Sequence, residues 1–161
     1  MMTRIDARDR LIVALDVPSA AEADALVARM GDQVRFVKVG LELYTVAGPD
    51  IVRKLVDRGK RVFLDLKFLD IEETVRRATA RVAAMGATFL TVHANRKALM
   101  AAVQGRGSSD LKLLAVTVLT NFDGEDLREM GIQRSVQDLV TARAMLAAEV
   151  GCDGVVASGE E

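Results

Sequence analysis

Residues 61–86 read RVFLDLKFLDIEETVRRATARVAAMG and change from one structural period to another within a single stretch. The first eight residues form a short, mostly apolar run, which is typical of a β-strand. Apolar residues then recur at helical spacing, at Ile71, Val75, Ala78, Val82 and Met85. Gly86 follows the last of them, where the end of a helix favours a left-handed residue. The stretch therefore predicts a strand followed by an amphipathic helix.

The same alternation extends over the whole chain. Short apolar runs predict six strands, which begin at Leu11, Val34, Arg61, Phe89, Lys112 and Gly154. Glycines follow the helical segments at Gly31, Gly59, Gly86, Gly105 and Gly151. Strands that are apolar on both faces belong to a parallel sheet covered by helices. No linker separates two parts, so residues 1–161 are predicted to form a single α/β domain.

Two folds contain such sheets, the doubly wound sheet and the closed barrel. A dinucleotide-binding doubly wound sheet should have G-x-G-x-x-G after its first strand, but residues 16–19 read DVPS. Five successive strands instead end in polar residues, namely Asp16, Lys38, Asp65 with Lys67, His93, and Thr117 with Thr120. Polar groups at the C-terminal ends of all strands are typical of a TIM-type (β/α)8 barrel. We therefore expect an incomplete barrel of six parallel βα units that lacks the last two.

Composition excludes several classes of protein. The 22 Lys and Arg residues nearly balance the 23 Asp and Glu residues, so neither nucleic acid nor a membrane surface is an expected partner. No apolar run approaches the ~18 residues that span a bilayer. Residues 1–10 are too charged for a signal peptide. The single cysteine, Cys152, excludes an internal disulfide, and a cytoplasmic location is expected.

Three charged residues form the most informative cluster. Side chains two apart on a strand share a face, so Asp65 and Lys67 should both point into the barrel. Lys38 ends the neighbouring strand and should lie beside them. Buried ions are costly unless they are paired, which makes two lysines around an aspartate hard to explain as packing. The structural alternative is an ion-pair network that sets the strand register.

The charges around the lysines limit the reactions that this cluster could catalyse. A Schiff-base aldolase needs a neutral amine, but neighbouring carboxylates keep a lysine in its ammonium form. A protonated lysine is instead a proton donor for a carbanion. The cluster therefore predicts cleavage to a carbanion followed by protonation.

The chain resembles the orotidine 5′-phosphate decarboxylase family. The resemblance lies in an ordered set of motifs that covers essentially the whole chain: LDV at residues 15–17, KVG at 38–40, D-x-K-x-x-D-I-x-x-T from Asp65 to Thr74, VHA at 92–94 and VLT at 118–120. It implies a cofactor-free enzyme without a metal ion, which converts orotidylate to uridylate and carbon dioxide in pyrimidine biosynthesis.

The resemblance also implies roles for the charged cluster. Lys67 would protonate C6 of the pyrimidine after carbon dioxide leaves. Asp65 would lie beside the departing carboxylate, and Lys38 would hold Asp65 and the ribose. Asp16 and Thr120 would bind the nucleotide.

A further implication is a homodimer with shared sites. Asp70 would complete a Lys-Asp-Lys-Asp array across the interface and reach the partner's site together with Ile71 and Thr74. Departures from the family pattern occur at Leu69, Glu72 and Asn121.

Other candidate residues have simpler interpretations. Asp70 could instead cap a helix that starts at Ile71. His93, the only histidine, is expected to be a hydrogen-bonded residue around the site and not a metal ligand or a base. Residues 105–109 read GRGSS and predict a turn away from the site, and residues 123–126 predict a helix start.

Two alternative functions stay open. A magnesium-dependent sugar-phosphate decarboxylase or hexulose-phosphate synthase has a similar D-x-K-x-x-D motif, but it has an acidic residue at the position of Lys38, because divalent cations prefer oxygen ligands. The other alternative is a non-catalytic fragment, since the sixth predicted strand falls at the end of the chain.

Overall fold

The computed structural model describes residues 6–159, which form one parallel sheet with helices against it. Six strands make up the sheet: β1 (Ile12–Ala14), β2 (Phe36–Gly40), β3 (Arg61–Phe68), β4 (Phe89–His93), β5 (Lys112–Val116) and β6 (Gly154–Val156). Strands β3 to β6 begin at the predicted residues, whereas β1 and β2 begin one and two residues later. The predicted domain also includes residues 1–5, 160 and 161, which lie outside the described residues. Residues 1–5 are also part of the charged segment 1–10 that argued against a signal peptide.

Helices connect every pair of successive strands. The seven α-helices of residues 6–159 are α1 (Ala20–Met30), α2 (Leu41–Ala47), α3 (Asp50–Asp57), α4 (Glu72–Ala84), α5 (Arg96–Arg106), α6 (Gly124–Glu129) and α7 (Val136–Val150). Side chains cap several of them. Ser19 and Ser135 accept hydrogen bonds from backbone amides at the starts of α1 and α7, and Asp123 forms a full capping box at the start of α6.

The order of the strands identifies the architecture. The sheet runs β1-β2-β3-β4-β5-β6, with every neighbouring pair parallel and in sequence order. A doubly wound sheet reverses its strand order at a switch point, whereas a barrel adds each strand beside the previous one. The predicted α/β fold of the TIM-barrel type is confirmed, here as an arc of six strands.

The two faces of the sheet hold different kinds of residue. One face forms the main apolar core with the helices, through alternate strand residues: Val37, Val39, Val62, Leu64, Leu90, Val92, Leu113 and Ala115. On the opposite face three phenylalanines cluster, with Phe89 stacked on Phe36 at 5.1 Å and edge-on to Phe63 at 5.9 Å between ring centroids. This second face is the concave face of the arc, so the phenylalanines form an apolar floor.

The structure corrects the predicted turn at residues 105–109. Helix α5 continues through Gly105 to Arg106, and Gly107, with φ of 57°, ends it instead. Gly105 is needed inside the helix for a different reason than a turn. A Cβ atom there would lie 2.2 Å from the carbonyl oxygen of Arg76 in α4, so only glycine allows these two helices to approach so closely.

Two further observations concern the described part of the chain. No helix within residues 6–159 is both long and apolar enough to cross a membrane. Cys152 is a free thiol, half-buried beside the main core.

Candidate functional site

A polar layer lies directly above the apolar floor. Lys38, Asp65 and Thr91 each follow one of the three phenylalanines by two residues, in β2, β3 and β4 respectively. Residues two apart on a strand share a face, so the phenylalanines place these polar groups on the concave face, toward the C-terminal ends of the strands. That end of the sheet is where barrel enzymes have their active sites.

An ion pair forms the centre of the layer. The Lys67 ammonium donates to both carboxylate oxygens of Asp65, at 3.0 Å to Oδ1 and 2.9 Å to Oδ2. Their side chains are only 30% and 17% exposed, so the pair is largely shielded from water. The predicted association of Asp65 and Lys67 is therefore present, and it places an ammonium proton source beside a carboxylate.

The backbone of β3 is irregular at this pair. Lys67 has φ of 50° and is the one non-glycine residue with positive φ in residues 6–159. A left-handed conformation costs such a residue about 1–2 kcal/mol. The pairing of β3 with β4 also shifts, from Leu64 opposite Leu90 to Phe68 opposite Val92, so three residues of β3 face Thr91 alone. Irregular backbone of this kind concentrates at functional sites.

Thr91 is the site residue that the sequence reasoning missed. It is fully buried, accepts a hydrogen bond from the backbone N–H of Lys67 at 2.9 Å and donates to Asp65 Oδ1 at 2.9 Å. The available signal was a hydroxyl residue within the otherwise apolar run Phe89-Leu90-Thr91-Val92.

The second lysine has a different partner from the expected one. Lys38 donates to Asp16 Oδ1 at 2.9 Å and has no hydrogen bond to Asp65 in the described structure. Gly40 lies next to both pairs: it is opposite Asp65 in the sheet, and a Cβ atom on it would lie 3.4 Å from both Lys38 Nζ and Asp16 Oδ1. The site thus contains two neighbouring Lys–Asp pairs and not one Lys–Asp–Lys chain.

The residues predicted to act across a dimer interface lie on the rim. Asp70, Ile71 and Thr74 are all exposed, Ile71 at 73%. Within the described residues none of them forms a hydrogen bond to either Lys–Asp pair. The alternative prediction that Asp70 caps the helix is wrong. Helix α4 begins at Glu72 without a side-chain cap from residues 6–159, and among those residues the Asp70 carboxylate accepts only the adjacent N–H of Ile71, at 2.6 Å.

The loop after β5 holds the remaining predicted binding residue. Thr120 is exposed in the turn that follows β5, and so is Asn121. Thr117 is fully buried, and its hydroxyl donates to the carbonyl oxygen of Val156, which ties the end of β5 to β6. The structure therefore separates the two threonines: Thr117 has a structural contact, and only Thr120 is open to a ligand.

His93 differs from its expectation. Its imidazole has no hydrogen bond within residues 6–159 and lines a cavity of about 230 Å³ together with Arg143. Arg143 reaches the end of β5, where it donates to the carbonyl oxygen of Thr117 at 2.5 Å, and burial lowers its pKa. Burial also lowers the pKa of His93, and the positive charges of Arg143 and Lys67 lower it further. These surroundings favour a neutral imidazole.

The described residues offer no cluster of metal ligands. Within residues 6–159 no three His, Cys, Asp or Glu side chains lie close enough together to hold a metal ion.

Comparisons with known proteins show the family of the chain. The family model described as orotidine 5′-phosphate decarboxylase / HUMPS family matches residues 9–161. Orotidine 5′-phosphate decarboxylase of Nitrobacter winogradskyi is 56% identical over 155 residues, which are 96% of this chain and 65% of that protein. The enzyme of that name from Rhodopseudomonas palustris is 50% identical over 161 residues, the whole of this chain and 68% of that protein. The chain thus spans about two thirds of the length of these relatives.

A solved structure shows the same fold. The crystal structure of orotidine 5′-phosphate decarboxylase from Lactobacillus acidophilus superposes with a TM-score of 0.86 at 38% identity, covering 92% of this chain and 70% of that one. The family model and the sequence identities extend over nearly the entire chain. The chain belongs to the orotidine 5′-phosphate decarboxylase / HUMPS family.

Proposed function

We propose that this chain is the N-terminal six βα units of an orotidine 5′-phosphate decarboxylase, a cytoplasmic enzyme that uses neither a metal ion nor an organic cofactor. The observation that carries the proposal is the shielded Lys67–Asp65 pair at the C-terminal end of β3. The names of the relatives support the same activity.

The reaction needs one bond to break and one to form. The bond between C6 of the pyrimidine and its carboxylate breaks, carbon dioxide leaves, and the electron pair stays on C6. The Lys67 ammonium then gives its proton to C6, and a C–H bond forms. Asp65, placed beside the substrate carboxylate, repels that group in the ground state, and the repulsion ends when neutral carbon dioxide departs.

The second ion pair is assigned to the sugar. Lys38 and Asp16 lie beside the first pair and offer one donor and one acceptor group, which suits ribose hydroxyls. Thr120, exposed in the loop after β5, is assigned to the nucleotide as well. The substrate phosphate would be held by loops after a seventh and an eighth strand, as is frequent in TIM barrels.

The rim residues are assigned to a homodimer. Asp70, Ile71 and Thr74 are exposed around the start of α4, and within residues 6–159 none of them has a hydrogen bond to the ion pairs of its own chain. In a dimer they would reach the partner's site, with Asp70 completing the charged array. Covering the exposed Ile71 side chain with a partner subunit would remove apolar surface from water, which favours association.

The second candidate is a hexulose-phosphate synthase, the HUMPS of the same family description, or a magnesium-dependent sugar-phosphate decarboxylase like the one considered from the sequence. Lys38 argues against both, since the resemblance gives those enzymes an acidic residue at its position and a divalent cation prefers oxygen ligands. Addition of a chelator distinguishes the candidates. We expect turnover of orotidylate to be unaffected by the chelator.

The decisive test is Lys67→Ala in an extended form of the protein, in which residues 1–161 precede the C-terminal part of the Nitrobacter winogradskyi relative that this chain does not match. Loss of the proton donor should abolish decarboxylation, measured as loss of orotidylate absorbance, and leave binding of uridylate largely intact. Lys112→Ala is the matched control. Lys112 is the first residue of β5, at the end of the sheet opposite to the site, so this variant should keep full activity. Turnover by the Lys67 variant within about tenfold of the parent would exclude Lys67 as the donor.

A further inference from the structure

The Thr91 hydroxyl is linked to Lys67 in two ways, directly to its backbone and through Asp65 to its side chain. It accepts the backbone N–H of Lys67 and donates to Asp65 Oδ1, and the same carboxylate accepts the Lys67 ammonium. These contacts close a ring that runs from Thr91 through the Lys67 backbone and side chain to Asp65 and back to Thr91. A hydroxyl has one proton and two lone pairs, so it can make both bonds at once.

The position of Thr91 explains why the irregular strand is held in one conformation. Where β3 shifts register, its backbone groups lose their regular partners in β4, and a buried N–H without a partner is unfavourable. Thr91 supplies that partner from a side chain that is itself fully buried. Thr91 therefore holds the backbone of the left-handed Lys67 directly and its side chain through Asp65.

We infer that Thr91 is a positioning residue, which sets the distance and orientation of the Lys67 ammonium and the Asp65 carboxylate. For its effect on catalysis the inference rests on the proposed decarboxylation. The geometric part stands without it, because the ring exists whatever the substrate is.

The structure contains a contrasting case. Thr79 in α4 is also fully buried, but its hydroxyl has no hydrogen-bond partner within the described residues. Replacing Thr79 by valine is therefore the same chemical change at the same burial, without the ring. It controls for any general effect of removing a buried hydroxyl.

The test compares Thr91→Val, which removes the hydroxyl at constant size, with Thr91→Ser, which keeps it. The first measurement is hydrogen exchange of the Lys67 backbone N–H by NMR in the 161-residue chain and in the extended form. We expect protection of that amide to fall by about tenfold or more in Thr91→Val, and to remain in Thr91→Ser and Thr79→Val. Should Thr91→Val not fold, Thr91→Cys, which is nearly isosteric and only a weak hydrogen-bonding group, replaces it.

The second measurement is turnover of orotidylate by the extended form. Misplacement of the ammonium should lower kcat by about tenfold to a hundredfold in Thr91→Val and change KM by less than about threefold. Thr91→Ser should restore most of the loss. Unchanged Lys67 exchange in Thr91→Val, an equal kcat loss in Thr91→Ser, or an equal loss in Thr79→Val would each overturn the inference. If the unmutated extended form lacks activity, the proposed function fails, and the exchange measurement still decides whether Thr91 holds the pair.

Discussion

At the scale of single residues, the surroundings of His93 are the clearest source of pH dependence. Burial and the charges of Arg143 and Lys67 all act against protonation, so the pKa of His93 lies below its ordinary value of 6.5. As the pH falls through 6.5, the unfolded chain binds this proton before the folded chain does. The stability of the fold therefore decreases from pH 6.5 down to the folded pKa, and above 6.5 this residue contributes no pH dependence.

This prediction can be measured directly, because His93 is the only histidine in the chain. Its imidazole C–H signals in NMR should titrate with a midpoint below 6.5. Arg143→Gln should raise the midpoint but leave it below 6.5, since burial, the larger cause, remains. Arg53→Gln, which removes an exposed arginine paired with Asp50, should not move it. A midpoint at or above 6.5 in the parent chain would contradict the prediction.

The Lys–Asp pairs illustrate how charge and position combine at this scale. The phenylalanine floor lies below the two pairs, and the Lys67–Asp65 pair, with side chains 30% and 17% exposed, is more shielded than the pair of Lys38 and Asp16, at 22% and 62%. In such partly shielded surroundings opposite charges attract more strongly than in bulk water, and an unpaired ion would be costly. A substrate that separates Lys67 from Asp65 must therefore offer the ammonium another acceptor, while Asp65 keeps the Thr91 hydroxyl as a donor.

At the scale of elements, helices α4 and α5 approach each other very closely where Gly105 of α5 meets the backbone of α4. Gly105→Ala would place a methyl group 2.2 Å from the backbone carbonyl oxygen of Arg76, which cannot rotate away. Alanine favours a helix over glycine by about 1 kcal/mol, but overpacking costs about 1–3 kcal/mol. We expect a net loss of stability and a melting temperature lower by a few degrees, measured by thermal denaturation.

Gly124→Ala is the matched control for that substitution. Gly124 is also helical, at the start of α6, and a Cβ atom on it would have no neighbour within 4 Å. Its replacement should leave the melting temperature unchanged or slightly higher. Equal melting temperatures for the two variants would show that α4 and α5 can separate without cost.

At the scale of the whole molecule, the shared-site dimer can be tested by complementation in the extended form. An Asp70→Ala subunit paired with a Lys67→Ala subunit has one site with both native residues. Random exchange of subunits would therefore restore about a quarter of the parent's sites, measured as recovered orotidylate turnover. Each variant alone should remain inactive. If mixtures that demonstrably form hybrid dimers stay inactive, Asp70 does not act in the partner's site.

The open arc of strands leads to a second prediction at this scale. Within residues 6–159, β1 and β6 each pair on one side only, and Ile12 and Val155 on them are 36% and 41% exposed. Unpaired edges of this kind favour association, which light scattering would detect.

Without the loops that are expected to hold the phosphate, the 161-residue chain should turn over orotidylate about a hundredfold or more slowly than the extended form. Comparable rates would mean that another chain supplies the phosphate contacts.

The sequence by itself determined the alternation of strands and helices and the barrel architecture, because both depend on local periodicity and on the order of elements along the chain. It also identified Asp65 and Lys67 as a pair. The reason for that success differs from the one expected, because alternation along a regular strand does not hold at Lys67. The shifted register and the left-handed backbone bring its ammonium to Asp65 instead.

Only the tertiary structure decided which partners the remaining residues have. Lys38 pairs with Asp16 because β1 lies beside β2 in a particular register, and Thr91 reaches Lys67 because β3 bulges opposite β4. Gly105 is a contact residue and not a turn residue because α4 packs against α5. Each of these contacts joins residues that are at least 22 positions apart. Such contacts depend on strand register and helix separation, which packing of the entire core sets and no local pattern encodes.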